Sequence, residues 1–261
     1  MQNELTVLGI QADLVWENPS KNLAFFEEKI NATPKGTDLV VLPEMFTTGF
    51  TMNPKKVAEK MNGEAVLWMQ KMAKKHQIAL IGSLVVEENE NYYNRLLFVH
   101  PSMKIEIYDK KHSFSLAGEN TLYTSGTEKL IVNFKGWKIC PFICYDLRFP
   151  VWTRNSENYD ILIFVANWPV KRIRAWDTLL KARAIENMSY VIGVNRTGKD
   201  ANKYNYSGHS IVVNCLGEEV SSLKEEEVGM LKATLVKTAQ EGIRKKLGFL
   251  NDKDAFKIDI L

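Results

Sequence analysis

The chain has 261 residues, 45% of them hydrophobic and 25% charged, with a net charge of +3. This is the balance of an ordinary globular protein whose core is large enough to fold without disulfides. The small, scattered positive excess argues against nucleic acid or a membrane surface as partner, and no apolar run is long enough to span a bilayer. Met1-Gln2-Asn3-Glu4-Leu5 lacks the basic start and apolar core of a signal peptide. Three cysteines, an odd and low number, fit a reducing cytoplasm, where we expect the protein.

Taken in chain order, a β-rich run at 5–11 is followed by a helical pattern over 20–31 that carries Leu23, Phe25, Phe26 and Ile30. A strand at 38–42 comes next, then a helix over 64–75 with Val66, Leu67, Met69 and Met72. Strands are expected at 79–86, 95–99, 105–108, 138–144 and 160–166. A helix over 175–188 places Trp176, Leu179, Leu180, Ala184 and Met188 on one face. Strands at 190–195, 209–215 and 230–235 complete the pattern. No repeat, low-complexity tract or flexible linker interrupts it, so 1–261 reads as a single domain. Strands alternating with helices, then hairpin-like pairs, predict an α/β sandwich with helices covering the sheets.

Three strand ends carry reactive side chains. Cys144 closes the run Lys138-Ile139-Cys140-Pro141-Phe142-Ile143-Cys144, Glu44 closes Asp38-Leu39-Val40-Val41-Leu42-Pro43-Glu44, and Lys110 closes Ile105-Glu106-Ile107-Tyr108-Asp109-Lys110. Ligands of open α/β sheets bind beyond the carboxyl ends of strands, so the three can converge. A thiolate is a good nucleophile, but a free thiol is mostly protonated at neutral pH. A carboxylate can take its proton. An ammonium can stabilise the thiolate and then a tetrahedral oxyanion, with the N–H of Tyr145 as a second donor. Glu119, in the loop Ser115-Leu116-Ala117-Gly118-Glu119-Asn120, is a further carboxylate able to orient the lysine.

Leu42-Pro43-Glu44, Tyr108-Asp109-Lys110-Lys111-His112-Ser113-Phe114 and Ile143-Cys144-Tyr145-Asp146-Leu147-Arg148-Phe149-Pro150 resemble the three signature segments of the nitrilase superfamily of carbon-nitrogen hydrolases. They stand in the same order, and the likeness extends over nearly the whole chain. It implies an αββα sandwich and a Glu–Lys–Cys triad: Glu44 as general base, Lys110 as oxyanion lysine, Cys144 as nucleophile, with Glu119 as the additional glutamate and no cofactor. Ala166-Asn167-Trp168-Pro169, Ala182-Arg183-Ala184-Ile185-Glu186-Asn187, Gly193-Val194-Asn195-Arg196-Thr197-Gly198 and Tyr206-Ser207-Gly208 are similar to the omega-amidase branch. That branch hydrolyses the amide of short dicarboxylic acid monoamides such as 2-oxoglutaramate and 2-oxosuccinamate. A guanidinium suits the far carboxylate of such a small-molecule substrate, and Arg172 is the candidate, with Trp168 and Phe46 as pocket walls. The superfamily often dimerises; a homodimer is expected, with 244–261 either serving that contact or packing on its own subunit.

Three departures stand out. Pro141 lies inside the nucleophile strand, where a bulge or unpaired stretch is expected. Lys111 follows the catalytic lysine where an aliphatic residue is more familiar, and His209 stands where an acidic one is common. Taken alone, these residues have blander readings. Cys140 and Cys215 are packing thiols. Trp168 and Phe46 suit a core, and Arg172 suits a solvated basic loop with Lys171 and Arg174. Asp146 and Arg148 pair with each other or brace the turn, and His112 makes a structural hydrogen bond. The main rival functions are another carbon-nitrogen hydrolase, such as a nitrilase or carbamoylase, and nucleotide binding. The latter rests on Gly193-Val194-Asn195-Arg196-Thr197-Gly198-Lys199-Asp200, which nearly fits a phosphate loop but puts Asp200 where a hydroxyl belongs.

Overall fold

The computed structural model describes residues 2–258; Met1, and residues 259–261 of the C-terminal stretch, lie outside the described residues. The strands are β1 (Glu4–Gln11), β2 (Leu39–Val41), β3 (Ala79–Glu88), β4 (Asn91–Val99), β5 (Ile105–Asp109), β6 (Val132–Phe134), β7 (Trp137–Ile143), β8 (Ile161–Ala166), β9 (Tyr190–Asn195), β10 (Thr197–Lys199), β11 (Asn205–Ser207), β12 (Ile211–Val213), β13 (Glu219–Ser222) and β14 (Gly229–Val236). They build two six-stranded sheets, in the orders β14-β1-β2-β3-β4-β5 and β13-β12-β9-β8-β7-β6, plus the hairpin β10-β11. Within the sheets β1, β2 and β3 run parallel, as do β7, β8 and β9.

Alternation along β1 explains the layers. Leu5 and Val7 join the core between the sheets, whereas Leu8 and Ile10 point to the other face, under α1 (Pro19–Asn31) and the helix Glu64–His76. Those two helices contribute Phe26, Ile30, Met69 and Met72. The helix Ile173–Asn187 covers the second sheet with Trp176, Leu180 and Ala184. The result is the αββα sandwich expected. Two glycines permit the close layers: a Cβ on Gly9 would meet Val194 Cγ2 of the opposite sheet at 2.7 Å, and one on Gly193 would meet Leu180 Cδ1 at 2.5 Å.

The sequence missed the short strands β6, β10, β11 and β13, and the helix Lys237–Leu247. That helix is docked on its own subunit. Arg244 donates to the carbonyls of Met188 and Tyr159, each at 2.7 Å, and to Asp160 at 3.1 Å. Further on, Phe249 and Phe256 are exposed. Pro141 does not bulge its strand: β7 pairs with β8 in unbroken register from Ile139 to Ile143. Its other neighbour, β6, ends its pairing at Ile139, which leaves Pro141 on an open edge where a missing donor is tolerated. The phosphate-loop reading is also set aside. Thr197–Lys199 turns back through Asp200, whose carboxylate accepts from Tyr204 N at 2.9 Å and Tyr206 Oη at 2.8 Å, and pairs with Asn205–Ser207 rather than opening a helix. No helix among the described residues is long and apolar enough to cross a membrane.

Glu59 receives the N–H of Ala65 at 2.9 Å and so caps the helix Glu64–His76. Burial pushes its carboxyl up from 4.5 to about 6. A raised acid binds its proton more tightly folded than unfolded, so its ionisation costs stability as pH rises through that window. Glu59→Gln should therefore match the parent near pH 4 and exceed it by about 1 kcal/mol at pH 8, allowing for partial exposure. Paired melting curves at the two pH values measure this.

Candidate active site

The ends of β2 and β5 on one sheet meet those of β7 and β8 on the other. After β2 the chain turns through Met45 at φ +42°, and Ser83 pins the turn by accepting the N–H of Met45 at 2.8 Å. Glu44 is thereby directed inward and is fully buried. After β5, the N–H of Lys110 donates to the carbonyl of Asn94 at 3.0 Å. Arg95 grips Asp109 with two bonds, of 2.7 and 2.9 Å, so both neighbours of that contact are fixed. After β7, Cys144 stands at φ +43°, a left-handed conformation that costs a non-glycine residue about 1–3 kcal/mol and suits a functional turn.

The side chains form one buried cluster. Lys110 Nζ donates to Glu44 Oε1 at 2.9 Å and to both oxygens of Glu119, at 3.0 and 2.9 Å. Asn94 Nδ2 bridges the two carboxylates, at 2.8 Å from Glu44 and 3.3 Å from Glu119. Glu119 also takes the N–H of Phe114 at 2.5 Å, and Glu44 Oε2 takes that of Asn167 at 2.9 Å. Burial alone would lower the Lys110 pKa, but the charges of Glu119 and Glu44 outweigh it and hold the ammonium above the usual lysine value. Burial raises the Glu119 carboxyl, with Lys110 opposing. The half-buried Cys144 thiol is pushed well above the ordinary thiol range by burial and by the charge of Glu44, against the pull of Lys110. A thiol in this setting keeps its proton at rest, and the carboxylate beside it is the group placed to receive it.

Cys144, Glu44 and Lys110 open into a cavity of about 550 Å³, a size suited to a small organic molecule. Tyr145, Trp168 and Arg172 are among the residues that line it. Phe46 does not line it. It is fully buried among Phe26 and Trp68, with ring centroids 5.4 and 5.9 Å away, because the left-handed turn at Met45 sends it to the helix side of the sheet. Phe50 takes its place in the wall, 5.1 Å from Lys110 Nζ. Arg148 does not pair with Asp146. Its guanidinium lies over the Trp168 ring at 4.8 Å and lines the cavity, while Arg172 lies over Phe114 at 4.9 Å. Among the described residues neither arginine has an acidic partner, whereas Lys171 and Arg174 are exposed.

A family model described as carbon-nitrogen hydrolase matches residues 6–244. The chain belongs to the carbon-nitrogen hydrolase family. Among its relatives, Omega-amidase YafV of Yersinia enterocolitica is 40% identical, covering 97% of each chain. The 2-oxoglutaramate amidase of Bacillus subtilis is 32% identical, covering 95% of this chain and 96% of its own. A solved superfamily member from Xanthomonas campestris, with an arsenic adduct in its active site, superposes with a TM-score of 0.96 at 36% identity, covering 99% of this chain and 100% of that one. Asn94 and Phe50 are the residues of the site that the sequence analysis did not single out, and Arg148, taken there as a partner of Asp146 or a brace of the turn, lines the cavity instead. The signal for Asn94 was faint: it stands beside Arg95 in the polar half of β4, where its carbonyl receives the N–H of Lys110.

Proposed function

We propose that the protein is an omega-amidase that hydrolyses short dicarboxylic acid monoamides, such as 2-oxoglutaramate and 2-oxosuccinamate, to the acid and ammonia. One observation carries the reading: a half-buried thiol beside a buried Glu–Lys–Glu cluster opens into a small cavity whose two arginines lack acidic partners among the described residues. The family and the omega-amidase and 2-oxoglutaramate amidase names of the relatives support it. Glu44 takes the thiol proton as Cys144 Sγ attacks the amide carbon, so charge is not left on sulfur in a buried site. Lys110 Nζ and the Tyr145 N–H stabilise the oxyanion, and Glu119 orients Lys110. Ammonia leaves with the proton from Glu44, giving a thioester. Glu44 then activates the water that releases the acid. Arg148 and Arg172 take the far carboxylate, with Trp168 as the wall between them.

The same reading places the enzyme in the cytoplasm, which the free thiols of Cys140, Cys144 and Cys215 suit. It takes the whole chain as one domain and the working form as a homodimer, with the exposed Phe249 and Phe256 of the C-terminal stretch near the contact. The clamp is tested by kinetics. Arg148→Ala and Arg172→Ala should each raise KM for 2-oxoglutaramate by about 10- to 100-fold, the worth of a hydrogen bond to a charged group. A neutral amide such as butyramide should be unaffected. Equal losses on both substrates would remove the clamp. Turnover of nitriles or N-carbamoyl amino acids in preference to 2-oxoglutaramate would favour another carbon-nitrogen hydrolase.

A further inference from the structure

Asp146 is fully buried and takes no part in the chemistry above, yet its carboxylate receives four hydrogen bonds. Oδ1 accepts from the backbone N–H of His112 at 3.0 Å and lies 2.8 Å from His112 Nδ1. Oδ2 accepts from Tyr108 Oη at 2.7 Å and from the N–H of Ile143 at 3.1 Å. Tyr108 and His112 flank Lys110 on either side by two residues, and Ile143 immediately precedes the strained Cys144. One carboxylate therefore ties both sides of the lysine to the turn that presents the thiol, across the gap between the two sheets. The surrounding parts are themselves held. Tyr108 Oη accepts from Trp152 Nε1 at 3.1 Å and from the Lys111 N–H at 3.3 Å, and the His112 ring stacks on Phe149 with centroids 3.6 Å apart.

We infer that Asp146, acting through His112 and Tyr108, is a positioning residue that sets Lys110 and Cys144 at their working separation. The inference rests on the amidase reading for its kinetics. Asp146→Asn turns one of the two acceptor oxygens into a donor and breaks half of the joint. With 2-oxoglutaramate it should lower kcat by about 100-fold while KM stays within about threefold, the pattern of a small misplacement at the reacting centre. Alkylation of Cys144 by acrylamide should slow in parallel. Because that variant is at risk of misfolding, Tyr108→Phe and His112→Ala carry the same test with one bond removed each. His112→Asn, whose side-chain amide can stand in for Nδ1, should recover most of the rate lost in His112→Ala, which a mere loss of ring packing would not allow. Variants that remain folded at the assay temperature and keep the parent's kcat and alkylation rate would overturn the inference, as would an asparagine at 112 no better than alanine. If the parent releases ammonia from no amide, the functional reading fails, and the acrylamide rates alone still decide the role of Asp146.

Discussion

Replacing Cys144 by alanine should abolish ammonia release, by about 10⁵- to 10⁶-fold, the loss expected when an enzyme is deprived of its nucleophile. The fold should survive. Alanine meets the same left-handed backbone that cysteine already occupies at φ +43°, and the ion pairs of Lys110 with Glu44 and Glu119 do not involve the thiol. The melting temperature should therefore change little, and the Glu44–Lys110–Glu119 cluster should remain assembled. Substantial residual ammonia release from purified Cys144→Ala would contradict the assignment, because no other thiol is within reach: Cys140 lies inside β7 and Cys215 near the far edge of the second sheet, both buried.

Lys110→Met should be inactive for a different reason and should also be unstable. Removing an oxyanion donor alone costs about 10²- to 10³-fold in kcat. Here the ammonium is also the cation that separates two buried carboxylates, at 2.9 Å from each. Deleting one partner of a buried ion pair costs about 3–5 kcal/mol, since the charges left behind are uncompensated. The sign of the pH dependence follows. Without Lys110 its opposition to the burial that raises the Glu119 carboxyl is lost, so the folded variant holds a proton there more tightly than the unfolded chain does. Its stability deficit should be largest at neutral pH and should shrink as pH falls towards 4. Denaturant midpoints across that range check this, and a deficit independent of pH would show that the cluster is not charged as described.

Much of this site was legible before the fold was seen because its groups sit at strand ends, and strand ends are what apolar runs mark best. The runs ending at Glu44, Lys110 and Cys144 announce themselves, and convergence follows from the α/β architecture. The misplaced residues share a physical cause: sequence spacing does not report direction where the backbone leaves regular geometry. Phe46 follows the left-handed Met45 and swings to the helix layer, so the wall falls to Phe50. Asp146 and Arg148 look like a charge pair, but in the tight turn Cys144–Arg148 they point apart, one into the joint with Tyr108 and the other over Trp168. The missed helix Lys237–Leu247 fully buries only Gln240 and is anchored mainly through polar contacts, so its apolar signal was weak. The short strands β6, β10, β11 and β13 have only three or four residues each, too few to show a period.

During turnover Cys144 should carry the acyl group of a dicarboxylic acid monoamide. The most direct measurement of this is peptide mass spectrometry of the parent enzyme, acid-quenched while it is turning over 2-oxoglutaramate. The peptide containing Cys144 should gain the mass of the substrate less ammonia, on the sulfur, and Glu44→Gln, deprived of the base proposed to activate water, should change how much of it accumulates. Ammonia release at full rate with no adduct on Cys144 under any quench time, or an adduct on another residue, would contradict it.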